Sequence, residues 1–303
     1  MFSKKKRKRQ NKVGLERNSF ATVPVLTERV IRKVHMLTTS MYSVVGNRDQ
    51  QQDSMYVTPS KNLVSNRKKR VLAIVCDGLG GMADGGKASR IAMQIIVQRF
   101  QKLEKNSAFN IPLFFRRGIL TADRVIYEFS KKNRKGSGTT MVACIVEDNK
   151  LYWASVGDSR IYIIRNRQIL QITRDHNYGL CLLKKMYVGE MTVEEAMRNK
   201  KKAALISYLG IGNISLMDIN DNPLKLLHGD IVMLCSDGLT KTLSDSRIKE
   251  IIMTDILKFE EKAESLVKIA TYANAYSQDN TSVILIHYEE MEREQKMRQF
   301  KSD

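Results

Sequence analysis

Four aspartates flank apolar, β-branched runs: VLAIVCD ends at Asp77, LYWASVGD at Asp158 and IVMLCSD at Asp237, while Asp279 stands just before TSVILIHY. Carboxylates at strand ends can converge on one rim of a sheet, where like charges raise one another's pKa unless a cation neutralises them. Oxygen ligands without His or Cys select hard cations, Mg²⁺ or Mn²⁺. Asp77 and Asp237 are each followed by glycine, Gly78 and Gly238, which permits a tight turn and lets a backbone carbonyl approach an ion. A single Asp-Gly pair is an ordinary turn signal. Four strand-associated aspartates in one domain point instead to a divalent metal centre.

Positioning such a centre requires sheets. Strands are predicted at 41–45, 71–76, 140–146, 151–156, 161–164, 231–235 and 282–287, where apolar residues are bounded by turn formers. ASRIAMQIIVQRFQKLE and PLFFRRGILTADRVIYEFSKK carry apolar residues at helical spacing and predict consecutive helices, with another over 259–276. The tetrads 147–150 and 165–168 read as tight links between adjacent antiparallel strands. Meandering strands and paired helices imply an α+β fold with sheets covered by antiparallel helices, and argue against a doubly wound βαβ sheet. With no repeat or Pro/Gly-rich linker between 34 and 289, one continuous domain is expected there.

Composition restricts the alternatives. The chain has 303 residues, 43% hydrophobic, with 4 Pro and 17 Gly, which excludes a disordered or collagen-like chain. No run approaches the roughly 20 apolar residues of a membrane span, and no apolar segment follows the basic start as in an export signal. A cytoplasmic protein is expected. Cys76, Cys144, Cys181 and Cys235 form no CxxC pair and read as buried reduced thiols, and Trp153 and the methionines as core filling.

The net charge of +19 is uneven, because seven of the first twelve residues are Lys or Arg. Residues 1–33 are expected to form a basic, disordered arm, either merely solvated or weakly attracted to an anionic partner such as nucleic acid or a membrane surface. Smaller basic clusters at 67–70 and 131–135 lack interleaved aromatic residues, which weakens a single-strand nucleic-acid reading. The charged end, 289–303, reads as a frayed, solvated helix, the tail beyond the domain being placed at 290–303.

Taken in order, R-x-x-Q-Q-D (Arg48 to Asp53), V-C-D-G-L-G-G (Val75 to Gly81), S-G-T-T (Ser137 to Thr140), V-G-D-S-R (Val156 to Arg160), T-R-D-H (Thr173 to His176), Leu209-Gly210, C-S-D-G-L (Cys235 to Leu239) and Q-D-N-T (Gln278 to Thr281) resemble the type 2C, metal-dependent protein phosphatases, most closely their bacterial branch. The resemblance spans residues 34–289 and implies a four-layer αββα sandwich of two antiparallel sheets flanked by helices. It implies hydrolysis of phosphoserine and phosphothreonine on proteins by water activated at two Mn²⁺ or Mg²⁺ ions, opposing a Ser/Thr kinase. A catalytically weak relative that only holds phosphoproteins is the rival expectation, and a monomer is expected.

By the same resemblance, Asp77 bridges both ions, Gly78 offers its carbonyl to one, and Asp237 and Asp279 complete the second ion's site. Asp53 acts directly or through water, Asp158 holds a third, weaker ion, and Asn280 orients its neighbour. Arg48 binds the substrate phosphate, a role suited to a guanidinium fork. Gln51 replaces the usual Asn and Gln52 the Glu of animal enzymes, as in many bacterial members. Leu79 and Met82 stand where some relatives carry His, so no general acid is assigned, and His176 reads as structural. The segment 178–209 corresponds to the mobile flap of bacterial relatives, with a short helix starting within 191–195, and Asp84 reads as a helix N-cap.

Overall fold

The apolar runs become strands and the amphipathic runs helices, in an order that builds two sheets. The computed structural model describes residues 28–59, 70–79, 84–103, 110–133 and 136–297, with side chains for those between 34 and 291. Strands β1 (Glu28–Val44), β2 (Ser54–Val57) and β3 (Arg70–Cys76) precede a helix pair, α1 (Gly85–Leu103) and α2 (Ile111–Asn133). Four strands follow: β4 (Met141–Glu147), β5 (Lys150–Val156), β6 (Arg160–Arg165) and β7 (Gln168–Gln171). Helices α3 (Tyr178–Tyr187) and α4 (Val193–Arg198) lead to the short strands β8 (Asp218–Ile219) and β9 (Leu224–Lys225), then to β10 (Ile231–Cys235). Helices α5 (Asp237–Thr240), α6 (Asp245–Met253) and α7 (Phe259–Ala273) precede β11 (Thr281–Met297).

One sheet runs β1-β11-β10-β6-β7 and the other β2-β3-β4-β5-β8, with β9 also on β5. The hairpins β4–β5 and β6–β7 are antiparallel, as their connecting tetrads predict. Their turns place Asp148, Asn166 and Arg167 at φ values of 55°, 50° and 60°, the left-handed region that two-residue hairpin loops demand.

Strand alternation sorts the core into layers. Along β3, Leu72, Ile74 and Cys76 face α1 and α2, packing on Ile96, Phe100, Phe115 and Ile119. Val71, Ala73 and Val75 point the other way and meet Val232, Leu234, Ile284 and Ile286 of the second sheet. The far face of that sheet, through Met233, Cys235 and Leu285, packs on Ile248, Ile252, Leu266 and Val267 of α6 and α7. The chain therefore has the α+β, four-layer αββα arrangement. Val34–Met291 forms one compact unit.

Three expectations change. The charged end is strand, not helix, as far as Met297, because β11 continues beside β1 and local composition yields to that pairing. Strand β1 already begins at Glu28, inside the segment expected to be a disordered arm. Cys181 is only half-buried, unlike Cys76, Cys144 and Cys235, and Met36, Met41, Met197 and Met291 are exposed, not core. Residues 1–27, the basic residues 67–69 and 134–135, Gly80, Gly81, Met82 and residues 298–303 lie outside the described residues.

Candidate metal centre

Register brings the aspartates to one rim. Ser54 pairs with Cys76, so Asp53 before β2 and Asp77 after β3 leave the sheet at the same end. Cys235 pairs with Val283 on one side and Arg160 on the other, which brings Asp237, Asp279 and Asp158 to the corresponding rim of the second sheet. There a cavity of about 470 Å³ is lined by Asp77, Asp158, Asp237 and Asp279, together with Arg48 and Lys241. Ala203 and Leu205, within the 178–209 segment, also line it. A larger cavity of about 680 Å³ lies against α3 and α4 and is lined by none of these four aspartates.

Backbone and hydroxyl groups hold Asp77, Asp53 and Asp279 in place. The Thr140 side chain accepts the Asp77 N–H at 3.1 Å, and the Asp77 carbonyl accepts the Thr140 N–H at 2.8 Å. Asp53 does not line the cavity but lies behind it, 7% exposed, where the Ser236 hydroxyl donates to its Oδ2 at 2.7 Å. Gly78 is required by close approach: a Cβ there would overlap the backbone of Gly85 and come within 2.7 Å of the Gln52 carbonyl. Gly238 is equally confined, since its Cβ would run into the Asn280 carbonyl. Asn280 N–H donates to Asp279 Oδ1 at 2.9 Å, and its side-chain amide donates to the carbonyls of Val45 and Gln50. It thus fixes the loop carrying Arg48 and Asp53 as well as its neighbour.

The rim is electrostatically strained. Burial, more than the hydrogen bonds from Ser236 and Ser282 can offset, pushes Asp53 up to about 7, with Asp237 and Asp279 adding repulsion. Asp77 is raised well above the ordinary carboxylate range by burial and then by Asp53, Asp237, Asp158 and Asp279. Asp158 rises to about 6 through burial and Asp237, against the opposing charge of Lys241.

Two side-chain cations relieve part of this. Arg48 Nη2 lies 2.8 Å from Asp279 Oδ2, and Lys241 Nζ 2.5 Å from Asp237 Oδ2. With these partners in place, no three acidic, His or Cys side chains among the described residues already form a closed coordinating set. The donor set nonetheless fits hard divalent cations: oxygen atoms only, mutually repelling carboxylates around one cavity, and Asp53 Oδ1 buried without a hydrogen-bond partner.

Of the site residues that the resemblance implies, Arg48, Asp77, Gly78, Asp158, Asp237 and Asp279 line this cavity, whereas Asp53 and Asn280 are buried and bonded to Ser236 and to Gln52 and Asp279. Lys241 was not singled out, although its spacing of four from Asp237 signals a shared helical face. His176 is fully buried, accepts the Gly157 N–H through Nδ1 at 3.2 Å and does not line the cavity. Thr192 and Glu195 form a capping box that starts α4, within the predicted 191–195 window. Asp84 directly precedes α1, and its carbonyl accepts the N–H groups of Lys87 and Ala88.

The protein phosphatase 2C family profile matches residues 38–179. The chain is 32% identical over 225 residues to the serine/threonine phosphatase stp of Listeria monocytogenes, covering 73% of this chain and 86% of that one. The chain belongs to the protein phosphatase 2C family. Among solved structures, the serine/threonine phosphatase of S. agalactiae superposes with a TM-score of 0.70 at 26% identity, over 83% of this protein phosphatase 2C chain and 99% of that one. The catalytic domain of the serine/threonine phosphatase PstP, solved in complex with two manganese ions, shares the fold with a TM-score of 0.66 at 24% identity, over 84% of this chain and 100% of that one.

Proposed function

We propose that this chain is a metal-dependent protein phosphatase that removes phosphate from phosphoserine and phosphothreonine on proteins, opposing a Ser/Thr kinase of the same cytoplasm. The observation that carries the reading is the convergence of Asp77, Asp158, Asp237 and Asp279 on one open cavity. Phosphoproteins are then its substrates, and it works as a monomer.

Asp77 and the Gly78 carbonyl would hold one divalent ion, Asp77, Asp237 and Asp279 would hold a second, and Asp53, set back from the cavity wall, would act on them through water. Divalent cations held there, Mn²⁺ or Mg²⁺, supply charge neutralisation for the phosphoryl oxygens and acidify the attacking water. Arg48, half-exposed at the cavity mouth, leaves Asp279 and grips the phosphoryl group with its guanidinium fork. Asn280 keeps the Arg48 loop at the right distance from Asp279. No side chain here is assigned as general acid, because His176 is sealed into the protein and Leu79 lines the cavity where a His would be needed.

The test is a Mn²⁺-dependent assay with p-nitrophenyl phosphate and a phosphothreonine peptide. Metal-stimulated turnover that disappears in Asp237→Ala is expected. Turnover absent in the parent protein, or unchanged in that variant, would leave a phosphoprotein-binding role instead.

A further inference from the structure

The two outer helical layers differ in charge. Helices α1 and α2 carry nine Lys and Arg residues against two acidic ones, a net +7. Helices α6 and α7, on the far face of the other sheet, carry four against five, a net −1. The acidic pair of the first layer does little to offset its charge: Asp123 is buried, accepting the N–H groups of Gly210 and Gly212, and only Glu128 reaches solvent. Eight of the nine cations are exposed, among them Arg116, Arg117, Arg124, Lys131 and Lys132 of α2. None of the nine is in an ion pair among the described residues, whereas α6 and α7 pair Arg247 with Glu250 and Lys268 with Glu264.

Apolar side chains stand among these cations. Leu113, Leu120 and Val125 of α2 are 40%, 46% and 41% exposed. Spacings of three, four and seven residues set Leu113, Arg116, Arg117, Leu120, Arg124 and Tyr127 along one outward stripe. Helix α2, with 23 residues, is about 35 Å long. Helix α1 lies antiparallel beside it, since Lys87 near its start sits 4.4 Å from the Phe129 ring near the end of α2, and Phe100 meets Phe114 at the opposite ends. The outcome is a broad face and not a groove.

Cations without ion pairs, interleaved with aliphatic groups over such a face, match an anionic lipid surface: headgroup charge attracts Lys and Arg while the aliphatic groups enter the interfacial region. Nucleic acid fits less well. Aliphatic groups gain nothing from phosphates, Tyr127 is the one exposed aromatic residue among the described residues of these helices, and α1 alongside keeps α2 out of a major groove. The metal cavity lies at the edge of this face. Helix α1 starts at Gly85, whose backbone abuts Gly78, and the chain after α2 returns to the rim where the Thr140 N–H donates to the Asp77 carbonyl.

We propose that the outward face of α1 and α2 docks this chain on an anionic membrane surface, leaving the cavity open to phosphoproteins held at the same surface. The docking itself needs neither metal nor catalysis.

The test is co-sedimentation of the full chain, with a chelator present, on vesicles of phosphatidylcholine alone or mixed with phosphatidylglycerol. Binding to the mixed vesicles only, weakened by added salt, is expected. The triple variant Arg116→Gln, Arg117→Gln, Arg124→Gln should lower the partition coefficient roughly 100-fold, since each cation near such a surface contributes about fivefold. Leu113→Ser combined with Leu120→Ser should lower it several-fold at unchanged charge. Both variants should melt close to the parent, because the replaced side chains are exposed. The N-terminal basic run is controlled by changing every Lys and Arg from 4 to 9 to Gln; binding that persists there and is lost in the triple variant supports the proposal. Equal binding by the parent and the triple variant overturns it, as does binding that depends on residues 4–9 alone. A parent protein that binds both vesicle types alike, or neither, overturns it too, and so does a leucine variant that binds like the parent. If duplex DNA is held by the parent and not by the triple variant while neither sediments with vesicles, the face is a nucleic-acid surface and the membrane proposal fails. Phosphatase turnover enters none of these readouts, so the docking and the catalytic reading fail separately.

Discussion

Asn280 Oδ1 accepts the backbone N–H of Gln52 at 2.8 Å, joining residues 228 positions apart in the chain. The same side chain donates to the carbonyls of Val45 at 2.6 Å and Gln50 at 3.1 Å, so one amide spans the loop that delivers both Arg48 and Asp53. Asn280 is 4% exposed, so no water readily replaces it.

Asn280→Ala should therefore cost stability and metal affinity together. Each lost hydrogen bond contributes about 1 kcal/mol, and buried partners left unpaired add more, giving roughly 2–4 kcal/mol in all. Groups that orient a ligand shell typically change metal affinity about 10- to 100-fold. A thermal melt and a Mn²⁺ titration measure the two effects. An unchanged Mn²⁺ affinity in a folded Asn280→Ala protein would show that the loop is held by other means.

The pH dependence of the metal-stripped protein follows from the raised carboxyls. Asp53 titrates near 7 and Asp158 near 6 when folded, against about 4 in an unfolded chain. Over that window the folded protein binds more protons than the unfolded one, so its stability is greatest at the acidic end and declines as pH rises through 7. Its melting temperature should drop by several degrees between pH 5 and pH 8. With saturating Mn²⁺ the trend reverses, because the ions require the deprotonated carboxylates. A stripped protein that grows more stable from pH 5 to pH 8 contradicts this account.

Asp77→Asn separates function from stability. Asp77 is buried and repelled by Asp53, Asp237, Asp158 and Asp279, so removing its charge should stabilise the stripped protein at pH 8. The same change should abolish measurable Mn²⁺ binding. Denaturant unfolding with and without Mn²⁺ reads both, and destabilisation of the stripped Asp77→Asn protein would refute the repulsion argument.

The sequence made the buried strands and their terminal aspartates legible because β3, β4, β5 and β10 are short, apolar and bounded by turns. Strand β2, the four residues SMYV, was missed because its middle and end are only half-buried and its polarity is mixed. Residues 289–297 read as helix because their charges carry no strand period; pairing with β1, remote in sequence, decides the matter. At the rim, the identity of the aspartates was readable, but the Asn280 to Gln52 bond and the Lys241 to Asp237 pair depend on tertiary placement and on a helix that begins at Asp237 itself.

Arg48→Ala tests the phosphate-gripping role. The guanidinium pairs with Asp279 Oδ2 at 2.8 Å yet is 51% exposed, so it can exchange that partner for a substrate phosphoryl group without unfolding anything. A charge-assisted contact is worth about 1.5–3 kcal/mol, which corresponds to a rise in KM for a phosphothreonine peptide of roughly 10- to 150-fold. Turnover at saturation should fall less than KM rises, because Arg48 contacts the phosphate in the bound substrate as well as in the transition state. Mn²⁺ affinity should stay within about threefold, since the pair with Asp279 is largely solvent-screened. Arg48→Lys keeps the charge but loses the planar fork and should recover only part of the binding. A phosphopeptide KM unaffected by Arg48→Ala would remove Arg48 from the substrate site and leave it as a counter-ion of Asp279.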